Sequence, residues 1–417
     1  MSQDGAVSNG AAAQSIASTS TPLSADVDRR VQRRVTAIWL LLFFNVLGSA
    51  GTVLLFLPHA AAQLMTMSAL GVALLLALSL NRRLLFRPNV VLGLFTLLAV
   101  LAFMTTIRGT AGVGGALRAF RFLGFLSVLW LLTPWWGRRD LLLARCHLRA
   151  LVVVSATVLA GLLIAPAAAL GGRLAGILWP IPPPQVAEYA AVTAGMAVVL
   201  WLSGRMPRAQ MLLLTSAGVA MVLLTHTRTA VVALVGGVGA AALTLFLTSQ
   251  RTRRAVQVAL VLLPVAVVAL APAALSWFAR GQSTDELVGL TGRARVWEML
   301  VNAPRSDFNK WFGYGLSDKS FVGLPIDSTW LALYQDEGVI GVVIVGVIVA
   351  FLLVTPAFRP PGAARAVAIF LVVYTAIASY TEVGLGDASP YVLHLVVAAS
   401  LLTTPSGGPG ESDPMLA

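Results

Sequence analysis

Five polar residues, Thr225-His226-Thr227-Arg228-Thr229, stand between two apolar runs with almost no connecting loop. Arg228 is thereby forced to, or just inside, the boundary of any membrane those runs cross. An arginine near a bilayer centre costs about 2.5–3.5 kcal/mol on insertion scales. It therefore either snorkels to the interface or faces a protein interior, a water-filled cavity or an anion. Arg118 and Arg121 are three apart at the start of another apolar run, a spacing that sets both on one helix face. Two cations there repel unless an anion lies between them or water screens them. Arg173 sits in Gly171-Gly172-Arg173-Leu174-Ala175-Gly176, ahead of Pro180-Ile181-Pro182-Pro183-Pro184, and reads either as a solvated loop charge or as a further anion ligand.

A second group lies downstream. In Leu290-Thr291-Gly292-Arg293-Ala294-Arg295-Val296-Trp297, Thr291 can cap a short helix whose free N–H groups suit a phosphate. On that helix Arg293 and Arg295 point about 200° apart. Arg295 can pair with Glu298 at i+3, which leaves Arg293 as the better anion ligand. Asp327, in Pro325-Ile326-Asp327-Ser328-Thr329-Trp330-Leu331, follows a proline turn and reads as a helix N-cap or as a general base, roles that do not exclude each other. The four histidines, His59, His147, His226 and His394, are far apart with no H-x-x-x-H spacing or adjacent carboxylates, so no metal site is expected. The chain has no Walker-type phosphate loop, and no Asp-x-Asp is found in a loop on the outer face. ATP-driven transport and a metal-bound nucleotide sugar are both disfavoured, and no cofactor is expected.

The elements that must hold these residues follow from composition. Of 417 residues 58% are apolar, about 242 positions, and mean hydropathy is +0.85. A spanning helix needs about 20 apolar residues, so this stock supports roughly 12 spans. The expectation is an all-α polytopic transmembrane bundle. Its runs fall near 35–57, 60–80, 89–107, 120–136, 150–170, 186–203, 210–224, 230–248, 255–275, 339–358, 366–380 and 390–402, several of them only about 15–18 residues long and short enough to be re-entrant. Residues 1–28, rich in Ala, Ser, Thr and Gly, and residues 405–417 read as disordered tails, leaving 29–404 as the membrane domain. Arg29, Arg30, Arg33 and Arg34 precede the first run, which suits a retained helix better than a cleaved signal. Cys146 is the only cysteine, which excludes a disulfide scaffold.

Placing every second connection in the cytoplasm puts 18 of the 29 basic residues there, in short loops, as the positive-inside bias requires. Both termini are then cytoplasmic. This topology accounts for most of the net charge of +12, and no nucleic-acid partner is expected. On the other face one connection is long: residues 276–338, with six basic and eight acidic residues, are expected to form short helices over the membrane between spans 9 and 10. Arg118, Arg121, Arg173, Arg228 and Arg293 lie on that outer face against the orientation bias, which calls for another reason for their presence.

These segments, in this order, resemble the O-antigen ligase and O-antigen polymerase family of bacterial membrane glycosyltransferases. In that family a Ser-x-Ser-Arg-like knot precedes a long periplasmic loop with Gly-Arg-x-x-x-Trp, Gly-x-Gly, a His-Asn-x-x-Leu-like element and Glu-x-Gly. Here Thr225 to Arg228 match the knot, Gly292, Arg293 and Trp297 the second element, Gly313-Tyr314-Gly315 the third and Glu337-Gly338 the last. The likeness covers about residues 173–350. Asp327 stands where ligases of the family carry histidine, which moves weight from a ligase toward a polymerase or another acceptor. The resemblance implies a multi-pass protein of the bacterial inner membrane. It implies an undecaprenyl-pyrophosphate-linked oligosaccharide donor, a glycan acceptor, membrane lipids as surroundings, and transfer to a sugar hydroxyl without metal. On that basis Arg228 and Arg293 are expected to clamp the pyrophosphate, joined by Arg118, Arg121 and Arg173, with Asp327 or His226 as base. The rival readings are a peptidoglycan-type polymerase and a flippase or transporter of lipid-linked glycan.

Overall fold

Twelve helices coincide with the twelve apolar runs in the computed structural model, which describes residues 22–47, 58–108, 112–138, 140–279, 293–317 and 319–403. In chain order the helices are α1 (Pro22–Val46), α2 (His59–Leu80), α3 (Val90–Arg108), α4 (Gly112–Leu131), α5 (Leu142–Ile164), the single turn α6 (Pro166–Ala169), α7 (Pro183–Leu202), α8 (Arg208–Thr225), α9 (Arg228–Phe246), α10 (Gln250–Ala279), α11 (Arg293–Asn302), α12 (Asp307–Phe312), α13 (Thr329–Asp336), α14 (Gly338–Val354), α15 (Ala363–Ala378) and α16 (Pro390–Leu402). Among the described residues about 78% are helical, with almost no sheet, an all-α architecture.

Eight of the described helices are long and apolar enough to cross a membrane, or nine if the two arms of α10 count as one span. The other runs differ. In α1 the N-terminal half carries Arg29, Arg30, Arg33 and Arg34 and 35–46 is uncharged helix, while the rest of that run, 48–57, lies outside the described residues. Helix α10 contains Pro264 and Pro272 and turns by 71° between Gln250–Ala266 and Val268–Trp277, as expected where proline removes a backbone donor and crowds the preceding turn. Helices α15 and α16 have 16 and 13 residues, about 24 and 20 Å at 1.5 Å per residue, against a hydrocarbon core of about 30 Å. The expected tail boundary also moves, because residues 22–28 are the first turns of α1. Residues 1–21 and 404–417, together with Thr291 and Gly292 of the arginine motif, lie outside the described residues.

Burial identifies the centre. In α7, 83% of the spanning window is buried, against 28% in α8 and in α9, and α16 is buried from Pro390 to Ser400. A helix apolar on every side belongs inside a bundle, and α7 and α16 fill that place among α1, α5, α9 and α15. Between α9 and α14 the chain leaves the bundle through α10 and returns through α11, α12, a hairpin and α13. The hairpin pairs β1 (Ser320–Phe321) antiparallel with β2 (Leu324–Pro325), in the register Ser320 to Pro325 and Phe321 to Leu324. Val322 and Gly323 both have positive φ, the requirement of a two-residue hairpin turn. Among its described residues the long connection contains α11, α12 and α13 and a small two-stranded ribbon that the sequence did not announce.

Two glycines of the downstream motifs fasten this connection to the bundle. Gly313, with φ +74° and ψ −168°, occupies a backbone region essentially closed to other residues, and a Cβ there would overlap the Asp336 carbonyl. Gly338, with φ +68°, is pressed in the same way against the Trp311–Phe312 backbone. Gly313→Ala is expected to lower the thermal midpoint of the solubilised protein by the equivalent of about 1–3 kcal/mol from backbone strain alone. Gly346→Ala, in α14 with nothing within 4 Å of the added Cβ, is expected to leave the midpoint unchanged or raise it slightly.

Candidate functional site

The turn between α8 and α9 is built from three residues with distinct tasks. Thr225 ends α8, His226 takes the left-handed conformation at φ 51°, and Thr227 is the N-cap of α9. Only a left-handed residue closes so short a connection, and histidine is among the side chains that tolerate it. The His226 ring stacks on Trp277 of α10, centroids 5.7 Å apart and planes 23° apart. Arg228 is the first residue of α9 and is half-buried.

Arg173, from the connection between α6 and α7, reaches this turn. Its Nε donates to the Thr225 carbonyl at 2.7 Å and its Nη2 to Thr227 Oγ1 at 3.0 Å. A cation at the carbonyl end of α8 meets both the orphaned acceptors and the helix dipole. One residue past Arg228, Thr229 Oγ1 lies 2.6 Å from Thr381 Oγ1, joining the turn to the α15–α16 connection. That connection is tied in turn to the start of α13. The Thr329 amide donates to the Ser379 carbonyl at 3.0 Å, Thr329 Oγ1 donates to the Glu382 carbonyl at 2.7 Å, and the Gly384 amide donates to Thr329 Oγ1 at 3.1 Å.

Asp327 and Arg293 complete the group. Arg293 Nε donates to Asp327 Oδ2 at 3.0 Å. The N-cap of α13 is Ser328 rather than Asp327, because helical geometry begins one residue later than the Pro325 turn suggested. Asp327 is therefore a carboxylate outside the helix, engaged with a guanidinium. Arg295 is exposed, on the far side of α11 from its neighbour. Arg293 and Arg173 share an electrostatic partner that sequence reasoning missed. Glu382, two residues after Tyr380, has its carboxyl pushed up to about 7 by burial. Arg293 and Arg173 pull it down, and Glu188 and Asp327 push it up. A lone acid in a loop gives no pattern to find, so only the fold discloses it.

Family models match no part of the chain, and a search of curated proteins returns no match. Function must therefore be argued from the groups themselves.

Arg118 and Arg121 belong to a second group at the same end of the bundle. Arg118 donates to the Ser317 carbonyl, and the Leu316 amide donates to Thr106 Oγ1 of α3 at 2.9 Å. Arg121 Nη2 lies 3.4 Å from Asp387 Oδ2 and from the Ala388 carbonyl. Asp387 is thus the anion that the repulsion between two cations on one helix face demanded for Arg121. Beside them Lys319 pairs with the fully buried Asp336, which also accepts from Ser317 Oγ at 2.8 Å. Burial drives the neighbouring Glu337 carboxyl well above the usual range despite Lys319, and neither Glu337 oxygen has a hydrogen-bond partner among the described residues. These contacts clip the α11–α13 connection to α3, α4 and the α15–α16 loop.

A third set lies inside the bundle. Trp39 Nε1 of α1 donates to His147 Nδ1 of α5 at 3.1 Å, and His147 Nε2 lies 2.8 Å from His394 Nδ1 of α16. His394 Nε2 lies 3.1 Å from Glu188 Oε1 of α7, off the line of a straight hydrogen bond. Two histidines 247 positions apart thus meet a carboxylate, where the sequence had shown none beside them. The one available signal was Glu188, an acid inside an apolar run. No group of three His, Cys, Asp or Glu side chains among the described residues is placed to hold a metal ion.

Proposed function

We propose that this protein is a polytopic membrane glycosyltransferase of the O-antigen ligase and polymerase type. In this reading it crosses the bacterial inner membrane up to twelve times with both termini in the cytoplasm. It moves a glycan from a polyprenyl-pyrophosphate donor to a sugar hydroxyl at the outer face. The observation that carries the reading is that Arg173 and Arg293 gather with Asp327 and Glu382 at one end of a membrane bundle, where Thr229, next to Arg228, is bonded to Thr381 of the connection that holds Glu382.

A lipid pyrophosphate is an activated but multiply anionic leaving group, and guanidinium forks can hold it without a divalent ion. Arg228 and Arg293 are assigned to that clamp, and Arg173 holds the turn that presents Arg228. The acceptor oxygen attacks the anomeric carbon, forming the new glycosidic C–O bond. The bond from that carbon to the pyrophosphate oxygen breaks, and the lipid pyrophosphate departs with the electron pair. The hydroxyl proton passes to a carboxylate. Glu382, titrating near 7, suits this task because a base works best with a pKa close to the ambient pH. Asp327 then orients Arg293, a revision of the base role expected for it. Arg118 and Arg121, engaged with Ser317 and Asp387, are assigned to holding the loop.

One observation favours a transporter of lipid-linked glycan as second reading: the set from Trp39 to Glu188 lies within the membrane-crossing helices, where ionisable groups commonly mark a transport path. The test is the leaflet on which lipid-linked glycan accumulates in cells lacking the protein. Outer-leaflet accumulation is expected for a transferase, and inner-leaflet accumulation would establish the transporter instead.

A further inference from the structure

An open cleft of about 490 Å³ is walled by Trp297 of α11, Trp330 of α13 and Tyr380 of the α15–α16 connection. Its volume falls in the range of small-molecule sites, about 300–1,000 Å³. Trp297 stands one helical turn beyond Arg293, on the same face of α11. Ser328, another lining residue, directly follows Asp327. Tyr380 is exposed over 56% of its surface and meets Trp297 edge to face, centroids 5.4 Å apart and planes 83° apart. The lining thus comes from the same segments that carry Arg293, Asp327 and Glu382.

We infer that this cleft is the subsite for the acceptor saccharide, taking a pyranose ring against Trp297, Trp330 and Tyr380. The inference rests on the transferase reading above and names where the acceptor binds. A pyranose offers apolar C–H faces and a rim of hydroxyls, and the cleft offers the complement. Aromatic faces carry the negative side of their quadrupole toward the ring hydrogens. Asn302, Glu298 and Ser328 stand among the lining residues and supply amide, carboxylate and hydroxyl groups. The buried Trp297 Nε1 has no hydrogen-bond partner among the described residues, and a hydroxyl oxygen is the acceptor it lacks. An acyl chain would leave these polar groups unpaired, which costs about 1–3 kcal/mol for each one that is buried. All three walls belong to segments outside the membrane-crossing helices. Tyr380 stands two residues before Glu382 in the same connection.

Two measurements on the full chain in detergent test the proposal. In the transfer assay, Trp297→Ala and separately Asn302→Ala are expected to raise the acceptor KM, by roughly five- to tenfold for the lost aromatic face, with the donor KM unmoved. A rise in the donor KM instead, or no change in either, would overturn the assignment. The second readout is independent of turnover: saturation-transfer NMR with tetrasaccharides of glucose, galactose, mannose and rhamnose. A saccharide signal in the wild type that Trp297→Ala and Asn302→Ala both weaken supports the cleft, and it does so even if no donor is ever transferred. Absence of signal from every saccharide with the wild type overturns it, whatever becomes of the transferase reading.

Discussion

Glycan transfer in a reconstituted assay is expected to rise with pH along one acid limb centred near 7, and Glu382→Gln is expected to abolish that limb while lowering the rate about 10²- to 10⁴-fold. Burial lifts the Glu382 carboxyl to about 7 from an ordinary value of 4.5. The base is therefore protonated and silent below that pH and competent above it. The neighbouring charges set the direction of further shifts. Arg293 holds the Glu382 carboxyl down and Asp327 holds it up, so Arg293→Met should move the limb to higher pH and Asp327→Asn to lower pH. A limb that stays in place in both variants would remove Glu382 from the chemistry. The same shift has a stability consequence of fixed sign. Between about 4.5 and 7 the folded chain retains a proton that the unfolded chain has lost, so stability contributed by this group falls as pH rises through that window.

Lys319→Met is expected to destabilise the solubilised protein by about 3–5 kcal/mol, the range found when one partner of a buried ion pair is removed. Asp336 is fully buried, and Glu337 beside it is a second buried carboxyl. Lys319 is the cation that faces both: burial pulls its ammonium down, but Asp336, Glu337 and Asp387 together push it up. Without it the Asp336 charge has only the Ser317 hydroxyl for company. Adding Asp336→Asn to Lys319→Met should recover most of the loss, because the amide oxygen still accepts from Ser317 and no charge is stranded. Thermal midpoints of the wild type and the two variants check this, and a Lys319→Met midpoint equal to that of the wild type would show that the pair contributes nothing.

The bundle was largely legible because apolar runs report helices directly, and each of the twelve runs contains one. What the runs could not report was length in three dimensions. Pro264 and Pro272 stand in the run of α10 and mark a bend, but not its 71°, and α16 is shorter than a membrane is thick. Arg173, Arg228 and Arg293 were legible as cations in places that demanded a reason, and the structure brings all three to one end of the bundle. Their partners were not legible. Thr381, Glu382 and Asp387 sit in a short connection without pattern, and Arg121 finds Asp387 across 266 residues. Pairings at such separation are set by how helices stack, which periodicity along one helix does not encode. Asp327 was recognised with cap and base both open, and the cap falls to Ser328, a difference of a single residue of register.

The string of rings inside the bundle has a polarity. An indole nitrogen can only give a hydrogen, so Trp39 compels His147 to receive at Nδ1 and carry its own hydrogen on Nε2, and His394 is compelled in the same sense. The hydrogens all lean toward Glu188, from α1 through α5 and α16 to α7. An extra hydrogen on either imidazole would set donor against donor, so the string has no vacancy through which one could hop. Four helices are thereby keyed at fixed rotation, like tumblers in a closed lock, which makes this array a keel for the rim above it.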